Sequence, residues 1–100
     1  MRIKPNRMER YYAEILYNEE FRKLRNECYQ EGIIIENISA AGSLRREKRT
    51  IGDIDFVINT NNNELFKNKI VPRLNYRSVC RGSFFKKDLY KSNVDMFIAE

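Results

Sequence analysis

The sequence predicts a small α+β fold: a mixed or antiparallel sheet with its helices packed on one face. Three observations lead there. Residues 5–31 carry apolar side chains at helical spacing. Residues 33–40, 53–59 and 94–99 are short runs of strand character, and 76–81 is a fourth. The order is helix, strand, strand, helix, strand, strand, which suits a sheet with helices gathered on one side. At 100 residues the natural count is one domain, residues 1–100.

Each element has a local reason. Asn6 with Glu9 resembles a capping box at the start of the first helix. Met8, Tyr11, Tyr12, Ile15 and Leu16 form an apolar stripe, continued in a shifted phase by Phe21, Leu24 and Cys28. The stripe is expected to be core, with a break or second cap at Asn18. Gly32 is a suitable C-terminal glycine. Ile33 to Ala40 is β-branched and reads as a buried strand, broken by Gly42-Ser43 and followed by a short turn, Leu44 to Glu47. In the strand 53–59, Ile54, Phe56 and Ile58 share one face. Asn61 to Asn63 can cap a helix running to about Leu74, interrupted near Pro72. Residues 81–93 are polar, basic and aromatic and read as a hairpin or loop before the last strand.

Composition excludes several classes. With 42% hydrophobic residues, six Phe and six Tyr, the chain does not read as disordered. No apolar run approaches the roughly 18 residues of a membrane span, and the basic N-terminus lacks the apolar stretch of a signal peptide. A soluble intracellular protein, cytoplasmic or nuclear, is expected, with no membrane partner. Cys28 and Cys80 show no metal-ligand spacing and are expected as reduced thiols. The formal charge is +5, and it becomes +8 if metal ions neutralise three aspartates. A basic surface of this kind attracts phosphate backbones without reading sequence. There is no His, so any chemistry must use carboxylates, hydroxyls, thiols or Lys.

Three segments carry chemical potential. In Asp53-Ile54-Asp55, two carboxylates project to the same side of a strand while Ile54 and Phe56 face the core. Such neighbours repel unless a proton or cation joins them, and carboxylate oxygens suit Mg²⁺ or Mn²⁺. In Asn93-Val94-Asp95-Met96-Phe97, Asp95 is a lone charge in an apolar strand. Paired beside the first strand, it completes the three carboxylates of a two-ion site. In Gly42-Ser43-Leu44-Arg45-Arg46, a glycine after a buried strand lets an anion approach, and Ser43 adds a hydroxyl at the start of a turn. Alone, each segment has a bland reading: a charged strand edge, a polar strand end, an ordinary helix cap. Their conjunction points to phosphate chemistry.

Gly42-Ser43-Leu44-Arg45-Arg46 together with Gly52-Asp53-Ile54-Asp55 resembles the signature of the family X DNA polymerases, closest to their small viral members, within the β-polymerase-like nucleotidyltransferases. Arg2-Ile-Lys-Pro and the following helix resemble the segment that opens that family's palm, so the likeness spans nearly the whole chain. The resemblance implies a palm that joins a (d)NTP to a hydroxyl and releases pyrophosphate, in repair synthesis on DNA, using two Mg²⁺ or Mn²⁺ ions. It implies Asp53, Asp55 and Asp95 as catalytic metal ligands. Ser43 and Arg46 would hold the triphosphate, helped by the Gly42 and Gly52 backbone. Arg45, Lys48, Arg49, Lys86 and Lys87 are candidate nucleic-acid contacts, the last two in a stretch where basic residues interleave with Phe84, Phe85 and Tyr90.

There are departures from the family pattern. Five residues follow Asp95, so a thumb is not expected in this stretch, and self-association or a separate thumb would complete the cleft. Phe97 stands where family members often have a basic residue. Two other functions compete. One is a stand-alone minimal nucleotidyltransferase acting on a protein, small molecule or RNA end; Arg45-Arg46-Glu47 departs from its usual motif. The other is a non-catalytic nucleic-acid-binding module, which would gain nothing from three clustered carboxylates.

Overall fold

The computed structural model describes residues 8–42, 50–80, 82–89 and 92–99. β1 (Met8–Glu9) leads into α1 (Arg10–Gln30), and β2 (Ile35–Ala41), β3 (Thr50–Ile51) and β4 (Ile54–Thr60) follow. A helical stretch over residues 63–73, α2, precedes β5 (Arg77–Cys80), β6 (Phe84–Asp88) and β7 (Asn93–Ile98). β1 and β3 form a small ladder of their own, and the other five strands make a sheet in the order β2-β4-β7-β6-β5. β4 and β7 run parallel at its centre, and the remaining pairs are antiparallel. The expected mixed sheet in an α+β fold is therefore present. Among the described residues, no helix is long and apolar enough to cross a membrane.

α1 runs unbroken for 21 residues, without the expected break at Asn18. No Gly or Pro interrupts Arg10 to Gln30, so nothing stops the turn-by-turn hydrogen bonding. Asn6 lies outside the described residues, and Glu9 takes the N-cap position without a side-chain cap bond. The C-terminus closes as expected at Gly32, which holds φ +73°. Ile33 N–H donates to the Cys28 carbonyl at 2.8 Å and Gly32 N–H to that of Tyr29 at 3.2 Å, the two bonds of a Schellman motif.

Of the expected stripe, α1 buries Leu24 and Cys28 and packs Leu16 against the core, but not its N-terminal part. Tyr11, Tyr12 and Ile15 are 77%, 54% and 38% exposed. The buried positions are Ala13, Glu20, Leu24 and Cys28, with Tyr17 partly buried beside them. At about 100° per residue, Tyr11 and Ile15 fall nearly opposite Ala13. Small Ala13 allows close approach to the sheet, and a charged residue occupies the centre of the buried stripe.

α2 begins at Asn62, whose side chain accepts from Leu65 N–H at 3.1 Å. The helix does not break at Pro72. It widens to i→i+5 bonding over Phe66–Ile70, and Pro72 then sits in the last turn, Val71–Arg73. Asn75, at φ 68°, ends it, with Tyr76 N–H donating to Val71 and Asn75 N–H to Pro72.

β4 alternates strictly, with Ile54, Phe56, Ile58 and Thr60 buried and the residues between them half-buried. β7 alternates in phase: Val94, Met96 and Ile98 are buried. These side chains meet Leu24 and Cys28 of α1 and Phe66, Ile70 and Val71 of α2 in one core. β6, expected only as hairpin or loop, is a full strand that turns Phe85 and Lys87 inward and Phe84 and Lys86 outward.

Inside this core lies an ionic link between helix and sheet. Glu20 is 3% exposed and Lys87 is 9% exposed. The Lys87 ammonium lies 2.6 Å from Glu20 Oε1, and the Tyr76 hydroxyl donates to Glu20 Oε2 at 2.9 Å. The same ammonium sits 4.7 Å from the centre of the Tyr76 ring. Burial and the Glu20 charge push the Tyr76 phenol well above its usual range. Lys87, expected to contact nucleic acid, is thus on the covered face and engaged with Glu20. Removing one partner of such a pair leaves a charge without compensation. Lys87→Met should therefore destabilise the protein by about 3–5 kcal/mol in urea unfolding, and Glu20→Leu with Lys87→Met should recover much of that loss.

Candidate metal and nucleotide site

The site is built by strand register on the face of the sheet that the helices leave open. Ala41 of β2 lies opposite Asp55 of β4, Asp55 beside Asp95 of β7, and Asp95 opposite Lys86 of β6. Asp55 sits between buried Ile54 and Phe56, and Asp95 between buried Val94 and Met96. Because side chains alternate, burying those apolar residues turns both aspartates to the open face. Two carboxylates expected to share a surface are brought together side by side.

Asp53 is placed differently. It lies in the bend before β4, half-buried, one same-face step ahead of Asp55. Among the described residues, no three carboxylate, thiol or imidazole side chains close on a common metal position. The pair Asp55 and Asp95 is held by the ladder, whereas Asp53 precedes it. Its charge still reaches Asp55.

The electrostatics of the pair are unbalanced. One oxygen of each carboxylate, Oδ1 of Asp55 and of Asp95, is buried and accepts no hydrogen bond. The Lys86 ammonium is 3.4 Å from Asp95 Oδ1, an ion pair beyond hydrogen-bond range of good geometry. Burial, then the hydrogen bond and charge of Asp95 and the charge of Asp53, push Asp55 from the ordinary 3.8 up to about 7, against the pull of Lys86. A buried carboxylate with an orphaned oxygen and a raised pKa is short of positive charge.

Gly42 closes the site on the β2 side. It adopts φ +60°, a conformation that favours glycine. A Cβ there would collide with Asp55 Oδ2 and stand 3.1 Å from its Cγ. Glycine is required twice over, by the backbone and by the carboxylate it leaves room for. Ser92, buried, was not singled out in the sequence. Its hydroxyl donates to the Gly52 carbonyl and ties the start of β7 to the bend that carries Asp53. Only its position just before the last strand could have signalled it. The Gly52 carbonyl is thereby occupied. Ser43, Arg45, Arg46, Lys48 and Arg49 lie outside the described residues.

The donor set fits a hard divalent cation. The converging atoms are oxygens, one on each carboxylate accepts no hydrogen bond, and the charge of Lys86 does not offset the burial and repulsion that raise Asp55. Cys28 offers no competing thiolate: it is buried in the core on the other face, and burial with the charge of Glu27 pushes its thiol up to about 11. Compared with protein-family models and with curated protein sequences, the chain matches none.

The raised Asp55 pKa has a definite sign. The folded protein without metal binds the Asp55 proton more tightly than the unfolded chain does. The Asp55 contribution to stability is therefore fullest below about pH 4 and is lost as pH rises through about 7. In chelator, the melting temperature of the native sequence should show this decline. Asp55→Asn should remove that component and melt higher than the native sequence at pH 7.5. A second expectation concerns position 42. Gly42→Ala should displace the Asp55 carboxylate and lower stability by roughly 1–3 kcal/mol, the usual cost of a strained backbone position, read by chemical denaturation.

Proposed function

We propose that this protein is a metal-dependent nucleotidyltransferase of polymerase type. It moves a nucleoside monophosphate from a (d)NTP to a hydroxyl acceptor, with DNA as the acceptor class, and releases pyrophosphate. The observation that carries this reading is the Asp55–Asp95 pair. It lies on the sheet face away from the helices, with a buried oxygen on each carboxylate that accepts no hydrogen bond, Lys86 3.4 Å from that of Asp95, and a glycine alongside that a side chain could not replace. The resemblance of residues 42–46 and 52–55 to the family X signature supports it, as does the net charge of +5.

In this reading Asp55 and Asp95, with Asp53, hold Mg²⁺ or Mn²⁺. Bound there, the ions would polarise the phosphate and stabilise charge on the attacking and leaving oxygens. The acceptor hydroxyl gives up its proton to solvent water and its oxygen bonds to the α-phosphorus, while the bond from that phosphorus to the bridging oxygen breaks and pyrophosphate departs with the electron pair. Asp55 and Asp95 keep their positions because their strands are buried on the other face, so little reorganisation accompanies reaction. Gly42 leaves room for the Asp55 carboxylate itself, so the metal-holding oxygens can sit against the end of β2. Ser43 and Arg46 follow Gly42 in the chain and supply a hydroxyl and a guanidinium for the triphosphate.

The test is incorporation of labelled dNTP into a gapped duplex at low salt, with Mg²⁺. Asp55→Asn and Asp95→Asn should each reduce transfer by about 10²–10³-fold, the scale of losing one preorganised electrostatic group, while the circular dichroism of the fold persists. Full transfer by the Asp55→Asn protein would overturn the assignment. Transfer to an RNA end, a protein or a small molecule in place of DNA would move the acceptor class and leave the chemistry standing.

A further inference from the structure

The open face carries a second row that the carboxylate chemistry does not use. Register sets Val57 of β4, Phe97 of β7 and Phe84 of β6 side by side. They lie two residues along their strands from Asp55 and Asp95, a step of roughly 6.6–6.8 Å. The rings of Phe84 and Phe97 are parallel, with centroids 4.5 Å apart and planes within 3°. Phe97 is nevertheless 40% exposed. Phe84 covers one side of its ring, and on the other side the register leaves only Val57, a smaller side chain. The carboxylate row thus has Gly42 toward one end of the strands and an exposed aromatic surface toward the other.

We propose that Phe97, backed by Phe84 and floored by Val57, stacks the terminal nucleobase of a single-stranded acceptor end. The proposal rests on the nucleotidyl-transfer reading and names the acceptor that this face selects. A nucleobase offers a flat apolar face of the size of the exposed ring, and aromatic side chains stack any base without reading its edge. Its phosphates suit a chain of net charge +5, and Lys86 stands on the same face next to the aromatic row. The side is set by the strands. Phe97 follows Asp95 on β7 by two residues, on the far side of the carboxylate row from Gly42. A triphosphate approaching from Gly42 and a base seated on Phe97 therefore flank the row from opposite ends.

The experiment uses the full chain carrying Asp55→Asn and Asp95→Asn, so that binding needs no ion and no turnover. A 5′-labelled single strand, and the same strand with abasic residues at its 3′ end, are titrated by fluorescence anisotropy. Adding Phe97→Ala should weaken the intact strand about tenfold, the order expected for one stacked base, and leave the abasic strand unchanged. Phe97→Trp should retain the affinity. Since the chain has no Trp, its emission is a sole reporter and should be quenched by the intact strand. Equal affinity for intact and abasic strands, or equal losses for both in Phe97→Ala, overturns the proposal. So does sedimentation showing a dimer that Phe97→Ala converts to monomer, which would make the face a contact between copies. Stacking that persists while the native sequence transfers no nucleotide would sink the enzymatic reading alone.

Discussion

The parallel pairing of β4 with β7 is the constraint on which the rest depends. It places Ile54 with Val94, Phe56 with Met96 and Ile58 with Ile98 on the helix side, and Asp55 with Asp95 on the other. Core and candidate site are two faces of one register. A slip of either strand by one residue would drive its carboxylate into the apolar core and expose its own buried chains, so the hydrophobic pattern specifies the charged pair as firmly as it specifies the core. Repulsion between the aspartates is small beside the burial of six large apolar side chains, each worth about 1.5–3 kcal/mol. The charges stay together because the strands that carry them have a stronger reason to pair.

A second consequence concerns β6. Its inward Lys87 meets Glu20 and Tyr76, and its outward Lys86 meets Asp95. Two adjacent lysines thus neutralise acids on opposite faces of the sheet. The buried pair fixes the strand against α1, and through that register it sets where the second ammonium stands. The intact buried link adds little net stability over an apolar replacement, since charges removed from water regain little on pairing.

Much of this was legible in the sequence because alternation is a local signal. The strands at Ile35–Ala41, Ile54–Thr60 and Asn93–Ile98 fall within two residues of their expected bounds, although the first, expected to be buried, is an edge strand with none of its residues fully buried, and the shared face of Asp55 and Asp95 follows from the apolar neighbours of each. Gly32 was readable for the same reason: one residue in a left-handed conformation ends a helix without help from elsewhere. What failed depends on partners far along the chain. Nothing near Glu20 says that it will be buried, because its cation arrives from β6 and its hydroxyl from Tyr76. The stripe was read correctly at Leu16, Leu24 and Cys28, but its N-terminal part was assigned to Tyr11, Tyr12 and Ile15 in place of Ala13 and Glu20. Lys86 and Lys87 made β6 look like a loop for a related reason: hydropathy cannot see that one of them is paired inside. Asp53 was grouped with Asp55 by spacing and by the motif, and it sits in the bend just before β4, one residue outside the ladder that fixes Asp55.

The central strands are neighbours in space but distant in the chain, with α2, β5 and β6 between them. Contacts of that kind carry the entropic cost of closing a long loop. The antiparallel pair β2 and β4, joined by a shorter connection, can assemble earlier and would then display Asp55 without Asp95. A ligand that needs both carboxylates has no foothold on such an intermediate. It would hold the completed sheet against partial opening and leave the rate of reaching it nearly untouched, acting as a latch on the finished molecule and not as a template for its assembly.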